Sequence, residues 1–254
     1  MSSYRIPSIA NTCSIFQLLT STRKAMTASE IAKELELPRT SVFRILKTLE
    51  EEGMVVAMGK NYSVGHRLIN LGLQMISHIP ERQLCVPVLQ ELTHRTQESS
   101  HFAILSGTHA LFIEVCDSPH ALRVARRTGS LIDIHCSASG KVLLAHSSPQ
   151  ACEHLLNRIE FTPRTPNTHK SKESLLPELE QVRSQGFAID DIEYHDNVRC
   201  ISVPAYNSLG QVIGALGISS ADSRFPKSRI PELAKQLKKA SQQLSSQLGY
   251  QGKV

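Results

Sequence analysis

Along the first eighty residues, apolar positions recur at helical spacing and are interrupted by one short alternating stretch. Ile9, Ile15, Phe16, Leu18 and Leu19 mark a rough helical face between Pro7 and Leu19, and Thr22 to Lys24 break it. Thr27 stands three residues before Glu30, the spacing of a capping box. A second helix is therefore expected there, with Ile31, Ala32, Leu35 and Leu37 on its apolar side. Pro38 ends that helix and occupies a position where a third can begin. From Arg39 to Glu52, the residues Val42, Phe43, Ile45, Leu46 and Leu49 form a broad stripe that predicts burial, and Gly53 supplies the stop. MVVAMGKNYSVG then reads as two short strands around a turn at Gly59, Lys60 and Asn61. Between His66 and Ile79, Leu68, Leu71, Gly72, Met75, Ile76 and Ile79 share a face that Pro80 closes, which predicts a helical connector.

Beyond Pro80 the pattern changes to a mixture of strands and helices. HFAILSG and HALFIEVC are strand-like runs joined at Gly107, and LRVARRTG is expected to be a third strand. SASGKVLLAH begins a helix, Pro149 opens another, and a polar loop from Phe161 to Lys172 leads into a helix reaching Ser184. GFAIDDIEY and RCISVPAYNSLGQVIGALGISS are predominantly strand-like. A last amphipathic helix carries Ile230, Leu233, Leu237, Ala240, Leu244 and Leu248 at intervals of three and four. There is no internal repeat.

Helix, capped helix, short turn, helix and hairpin is the order of a winged helix-turn-helix. Away from its apolar stripe the third helix carries Arg39, Thr40, Ser41, Arg44, Lys47 and Thr48, a face of hydroxyls and cations ahead of the acidic run Glu50, Glu51 and Glu52. Arg44 suits a guanine edge or a phosphate, and Thr40 and Ser41 lie at a helix N-terminus that favours phosphate. Lys60 and Asn61 at the hairpin tip, with Arg67 beyond it, suit the backbone flanking the groove. Each residue taken alone also fits an ordinary solvated surface; the ordered combination predicts DNA binding, ahead of a winged helix that binds protein.

Length and composition narrow the class. At 254 residues, with 41% hydrophobic and 20% charged positions, two ordinary globular domains are expected. Nine cations against six acids in residues 1–80 carry +3 of the formal +5. All six acids fall between Glu30 and Glu52, so the start of the third helix and the hairpin hold cations only. Cys13, Cys85, Cys116, Cys136, Cys152 and Cys200 are scattered without CxxC or zinc-ribbon spacing, which predicts a reduced, cytoplasmic chain. No membrane-length apolar run and no signal-peptide order is present, so no membrane partner is expected.

In the second half, Ser137 to Lys141 is a small-residue loop entering a helix. Its amides suit an anion, and Ser137 and Ser139 add hydroxyls; alternatively, Gly140 and its neighbours only permit close packing. Asp190, Asp191 and Glu193 read as a solvated acidic turn, and Cys200 as an inert cysteine in an apolar strand. His101, His109, His120 and His135 lack HxxxH or HxH spacing and are taken as structural or surface residues, so neither metal nor cofactor is expected. Arg126 and Arg127 read as a basic turn rather than an anion site. An enzyme with Cys200 as nucleophile, His135 or His195 as base and Asp190 as orienter is the rival class. It lacks a nucleophile motif.

TASEIAKELELPRTSVFRILKTLEEEGMV, followed by YSVGHRL, resembles the DNA-binding half of IclR-type bacterial transcription regulators. The likeness continues through IHCSASGKVLLA, TPRT, GFAIDDIEY and VRCISVPAYNSLGQVIGALGIS, spanning about Ile9 to Leu248. It implies an α+β chain: a winged helix-turn-helix over 1–65, a linker and dimerisation helix over 66–80, and a GAF-like effector-binding domain over 81–254, with an antiparallel sheet flanked by helices. It implies a homodimer or dimer of dimers on operator DNA, with a small organic effector. By motif alignment the effector pocket falls on Ala138, Ser139, Asp190, Cys200, Gly217 and Ser219, with Ser202 as a further candidate if strand alternation places it beside Cys200. Gly217 departs from relatives that bind small oxo-acids and carry serine there, so more room and a larger ligand are expected. The resulting expectation is a repressor of a catabolic operon that answers to a carboxylate such as a sugar acid. An activator responding to an aromatic or larger ligand is the alternative.

Overall fold

The computed structural model describes residues 4–22, 24–125 and 127–253 in two compact units, Met1–His78 and Ile79–Val254. In the first, α1 (Pro7–Thr22), α2 (Ala28–Glu34) and α3 (Arg39–Glu51) enclose a core with β2 (Val55–Met58) and β3 (Asn61–Val64). The Thr27 hydroxyl accepts from the Glu30 amide while the Glu30 carboxylate accepts from the Thr27 amide at 2.7 Å, the expected capping box. Gly53 and Gly59 take φ of 68° and 64°, which lets the chain leave α3 and turn between the strands without a Cβ clash. Periodicity could not show β1 (Met26–Thr27), which is too short to carry a period. It adds to β3 through Met26 opposite Tyr62 and Thr27 opposite Asn61, giving the order β1-β3-β2.

Two features of this unit differ from the pattern. Val42, Leu46 and Leu49 form the buried seam of α3, but Ile45 is half-buried and Phe43 is 49% exposed. At 3.6 residues per turn Phe43 lies a further hundred degrees round from Val42, beyond the stripe that reaches the core. The connector helix α4 (His66–Ser77) buries none of its side chains in this chain, leaving Ile69, Leu71, Leu73 and Met75 exposed.

The second unit is built on a six-stranded antiparallel sheet in the order β6-β5-β4-β9-β8-β7. Its strands are β4 (Ser99–Ser106), β5 (His109–Cys116), β6 (Leu131–Asp133), β7 (Ala188–Asp191), β8 (Val198–Tyr206) and β9 (Val212–Ala221). One face packs against α5 (Pro80–Thr96) and α9 (Ile230–Gln247) through Val88, Leu89, Phe102, Ile201, Leu216 and Leu237. The other packs against α6 (Ala138–Ala145), α7 (Pro149–Leu156) and α8 (Lys172–Gln185) through Phe112, Val142, Leu155 and Leu179. With both faces covered, β8 and β9 are apolar almost throughout, which is why they read as continuous runs.

Pro80 does not simply close the connector; it opens α5, whose first turn needs no proline amide. That helix escapes the pattern because its buried face, Cys85, Val88, Leu89, Leu92, Thr93 and Thr96, includes two threonines and because Pro87 lies within it. The expected third strand in LRVARRTG is also absent: its described residues form no strand, Arg126 lies outside the described residues, and pairing with β5 is made instead by β6 after Gly129. Among the described residues no helix is long and apolar enough to cross a membrane.

Candidate DNA face and effector site

Helix α3 is held at its entry by the turn after α2, where Glu36 takes a positive φ of 52° and the Leu37 amide reaches the Ala32 carbonyl at 2.9 Å. Arg39, Thr40, Phe43, Arg44 and Lys47 then line a groove of about 950 Å³ with Thr27, Ser29, Gly59, Lys60 and Tyr62. The structure therefore brings the α3 cations and Lys60 to one concave face. Asn61 is exposed at the first residue of β3. Ser41 lies elsewhere, in a groove between α3 and α1 that it shares with Ile9, Thr12, Arg44 and Thr48. Lys47 pairs with Glu50 at 2.8 Å, and Arg67 donates to the Glu52 carbonyl and carboxylate, so part of the acidic run is neutralised from within the unit. Arg39, Arg44 and Lys60 form no ion pair among the described residues and remain available to an external anion.

In the second unit the sheet register gathers the six expected effector residues. Asp190, Cys200 and Ser219 are successive partners across β7, β8 and β9, and Ser202, Gly217 and His101 form the next row across β8, β9 and β4. Cys200 and Ser202 do share a face, as alternation requires: the Cys200 sulfur is 3.2 Å from the Ser219 hydroxyl, and the Ser202 hydroxyl is 2.9 Å from that of Ser139. Ala138 and Ser139 open α6 above these rows, and all six residues are buried.

Three details change the sequence reading. The room expected at Gly217 is already filled: a Cβ there would collide with the His101 ring and the Ser202 hydroxyl. His101, taken from spacing as merely structural, instead joins the row, with its Nε2 3.0 Å from the Ser139 hydroxyl and its ring edge-on to Phe112. No motif pointed to it; the signal was the glycine opposite it on β9, a neighbour in the sheet but five strands later in sequence. Asp190 is not a solvated residue. Its Oδ1 accepts from the Glu193 and Tyr194 amides at 2.7 and 3.2 Å and so ties down the turn after β7. At the helix entry, the Ser137 hydroxyl accepts from the Gly140 amide, and Gly140 is needed because a Cβ would strike the Ile134 backbone.

Beneath α6 lies a charge cluster that composition could not reveal. Lys141 is fully buried and donates to Glu178 Oε1 and Glu193 Oε1 at 2.5 and 2.6 Å, while His169 Nε2 meets Glu178 Oε2 at 2.6 Å. Burial opposes charge on Lys141, but the two carboxylates outweigh it and hold its pKa above the usual lysine value. Burial pushes Glu193 up to about 7 despite the nearby ammonium. Ligand-type atoms of His169, Glu178 and Glu193 converge here, with Lys141 already supplying a cation. A second group, Asp133, His135 and Cys136, is also close, but Asp133 is bound by Arg164 at 2.7 Å, and burial raises the Cys136 thiol. His135 meets the Thr162 carbonyl, and His195 sits exposed on the turn beside Asp196, so neither is engaged as a base for Cys200 by these interactions.

The chain matches the family models described as the IclR helix-turn-helix domain, over residues 8–57, and the bacterial transcriptional regulator IclR C-terminal domain, over residues 73–246. It is 32% identical over 247 residues to the HTH-type transcriptional regulator XynR of Escherichia coli, covering 96% of this chain and 98% of that one. It is also 32% identical over 224 residues to the regulator KdgR of the same organism, covering 87% and 85%. The crystal structure of Thermotoga maritima IclR superposes with a TM-score of 0.76 at 26% identity, covering 97% of this chain and all of that one. With these relatives named as regulators, the cysteine-enzyme alternative falls. The chain belongs to the IclR family of bacterial DNA-binding transcription regulators.

Proposed function

We propose that this regulator is a repressor whose affinity for its operator is set by a small organic acid bound in the second unit. The observation that carries the effector reading is the buried polar row His101, Ser139 and Ser202, beside Cys200, Ser219 and Asp190, where α6 begins. Hydroxyls and an imidazole gathered at one place in the core can exchange their mutual hydrogen bonds for those of a polar ligand, which favours a recognition role. On this reading Ser139, Ser202 and His101 orient the ligand, Ala138, Cys200, Ser219 and Gly217 shape its seat, and Asp190 accepts from a ligand hydroxyl. A carboxylate, such as a sugar acid, is the class best matched to hydroxyls and amides at the entry to α6.

On the DNA side, Arg44 reads a base edge or phosphate, Arg39, Thr40, Ser41 and Lys47 support it, and Lys60 and Asn61 track the flanking backbone. The exposed apolar face of α4 supports association with a second copy, so that two α3 helices address two half-sites. The ligand works by binding better to the conformation that holds DNA poorly.

The test selects binding sites from a random duplex pool with the full chain and then titrates the complex with neutral sugars, sugar acids, keto acids and aromatic acids. The last group is included because a similarly folded structure carries 4-hydroxybenzoate. Release of DNA by an acid, lost in Ser139→Ala, is the expected result. Response only to neutral compounds rejects the carboxylate, and enhancement of binding rejects repression relieved by the ligand.

A further inference from the structure

Phe43 occupies a place that its hydrophobicity does not explain. It is 49% exposed on α3, outside the core formed by Val42, Leu46 and Leu49 with α1, α2 and the small sheet. It is the one large, exposed apolar side chain among the described residues lining the groove that also holds Arg39, Arg44, Lys47 and Lys60. Lys47 Nζ lies 6.0 Å from its ring centroid, so the ring has a cation beside it.

A concave face with this charge suits a polyanion, and the ring lines it together with Arg39, Arg44, Lys47 and Lys60. Base edges in a DNA major groove offer hydrogen-bonding atoms almost everywhere. Their apolar feature is the C5-methyl group of thymine. Resting on the reading of this groove as the DNA face, we infer that Phe43 reads thymine methyl groups and makes this regulator prefer thymine at one or two positions in each half-site. Arg44, the next residue, contributes charge and hydrogen bonds, whereas Phe43 supplies discrimination that depends on the methyl group alone.

The experiment uses duplexes selected by the full-length protein from a random pool. Each thymine is replaced in turn by deoxyuridine, which removes the methyl and keeps the base pair, and binding is measured for the wild type and for Phe43→Ala. Burial of one methyl corresponds to about a 4-fold change in affinity. The wild type is therefore expected to lose about that factor at one or two positions, and Phe43→Ala to bind both duplexes equally. Phe43→Leu, which keeps an apolar group, should retain part of the preference, and circular dichroism checks that each half-exposed substitution leaves the fold intact. If the wild type tolerates deoxyuridine everywhere, or Phe43→Ala stays as sensitive as the wild type, the inference is overturned while DNA binding stands. Failure to select any duplex rejects the DNA face itself, and the inference falls with it.

Discussion

Gly217 of β9 stands opposite His101 of β4, and the imidazole fills the space that a side chain at position 217 would need. The two residues are therefore a matched pair, and the ring reaches the Ser139 hydroxyl only because the glycine leaves room for it. Gly217→Ser should destabilise the second unit by about 1–3 kcal/mol through overpacking. Adding His101→Ala should recover part of that loss, because the collision with the ring disappears while that with the Ser202 hydroxyl remains. Denaturant unfolding of the four members of this cycle gives the coupling; simple additivity would show that the two positions do not share the space.

Removing the buried ammonium of Lys141 leaves Glu193 without its counter-charge and Glu178 with His169 alone. Lys141→Met is expected to lower stability by about 3–5 kcal/mol, the usual cost of breaking a buried ion pair. The loss should be smaller at acid pH, where the carboxylates can take up protons. Equal loss at pH 5 and pH 8, read by urea unfolding, would argue against an electrostatic origin.

Glu193 gives stability a pH dependence of defined sign. Burial raises it to about 7 from the ordinary glutamate value of 4.5, so between those values the folded chain holds a proton that the unfolded chain releases. The resulting stabilisation is fully present below the lower value and is lost as pH rises through the upper one, a change of at most about 3 kcal/mol. Glu193→Gln should flatten that part of the stability profile. A wild-type profile that instead rises across the same window would contradict the assignment.

Arg44 and Lys60 form no ion pair among the described residues yet are given different tasks on the DNA face. Arg44→Ala should narrow the gap between selected and random duplexes, with a loss of about 1–3 kcal/mol on the selected site. Lys60→Ala should weaken binding to all sequences and reduce the salt slope by about one. Fluorescence anisotropy at several salt concentrations separates the two outcomes, and unchanged affinity in both variants would remove these residues from the interface.

Helix α4 exposes Leu73 and Met75 at 62% and 73%. Placing charge there with Leu73→Glu and Met75→Glu should shift the protein toward monomer while its far-ultraviolet circular dichroism stays unchanged. Neither side chain contributes to the core of this chain. Sedimentation velocity reads the change; an unaltered oligomeric state would assign association to another surface.

Local chemistry was enough to set much of the architecture. The capping box at Thr27 and Glu30, the positive-φ glycines 53 and 59, and the helical repeat of α9 act within a few residues, so they were legible in the amino-acid sequence alone. The order of elements and the IclR motifs likewise identified the two halves and the candidate residues of each. Tertiary structure decided what depends on neighbours distant in sequence. It turned Phe43 away from the core and toward the cations. It opened α5 at Pro80 against a sheet face that its own polar pattern did not reveal. It also paired strands so that Gly217 admits His101, and it buried Lys141 between Glu178 and Glu193, residues 37 and 52 positions away. Caps and turns are satisfied by adjacent backbone, whereas the volume and charge balance of a buried site are set by side chains that only folding brings together.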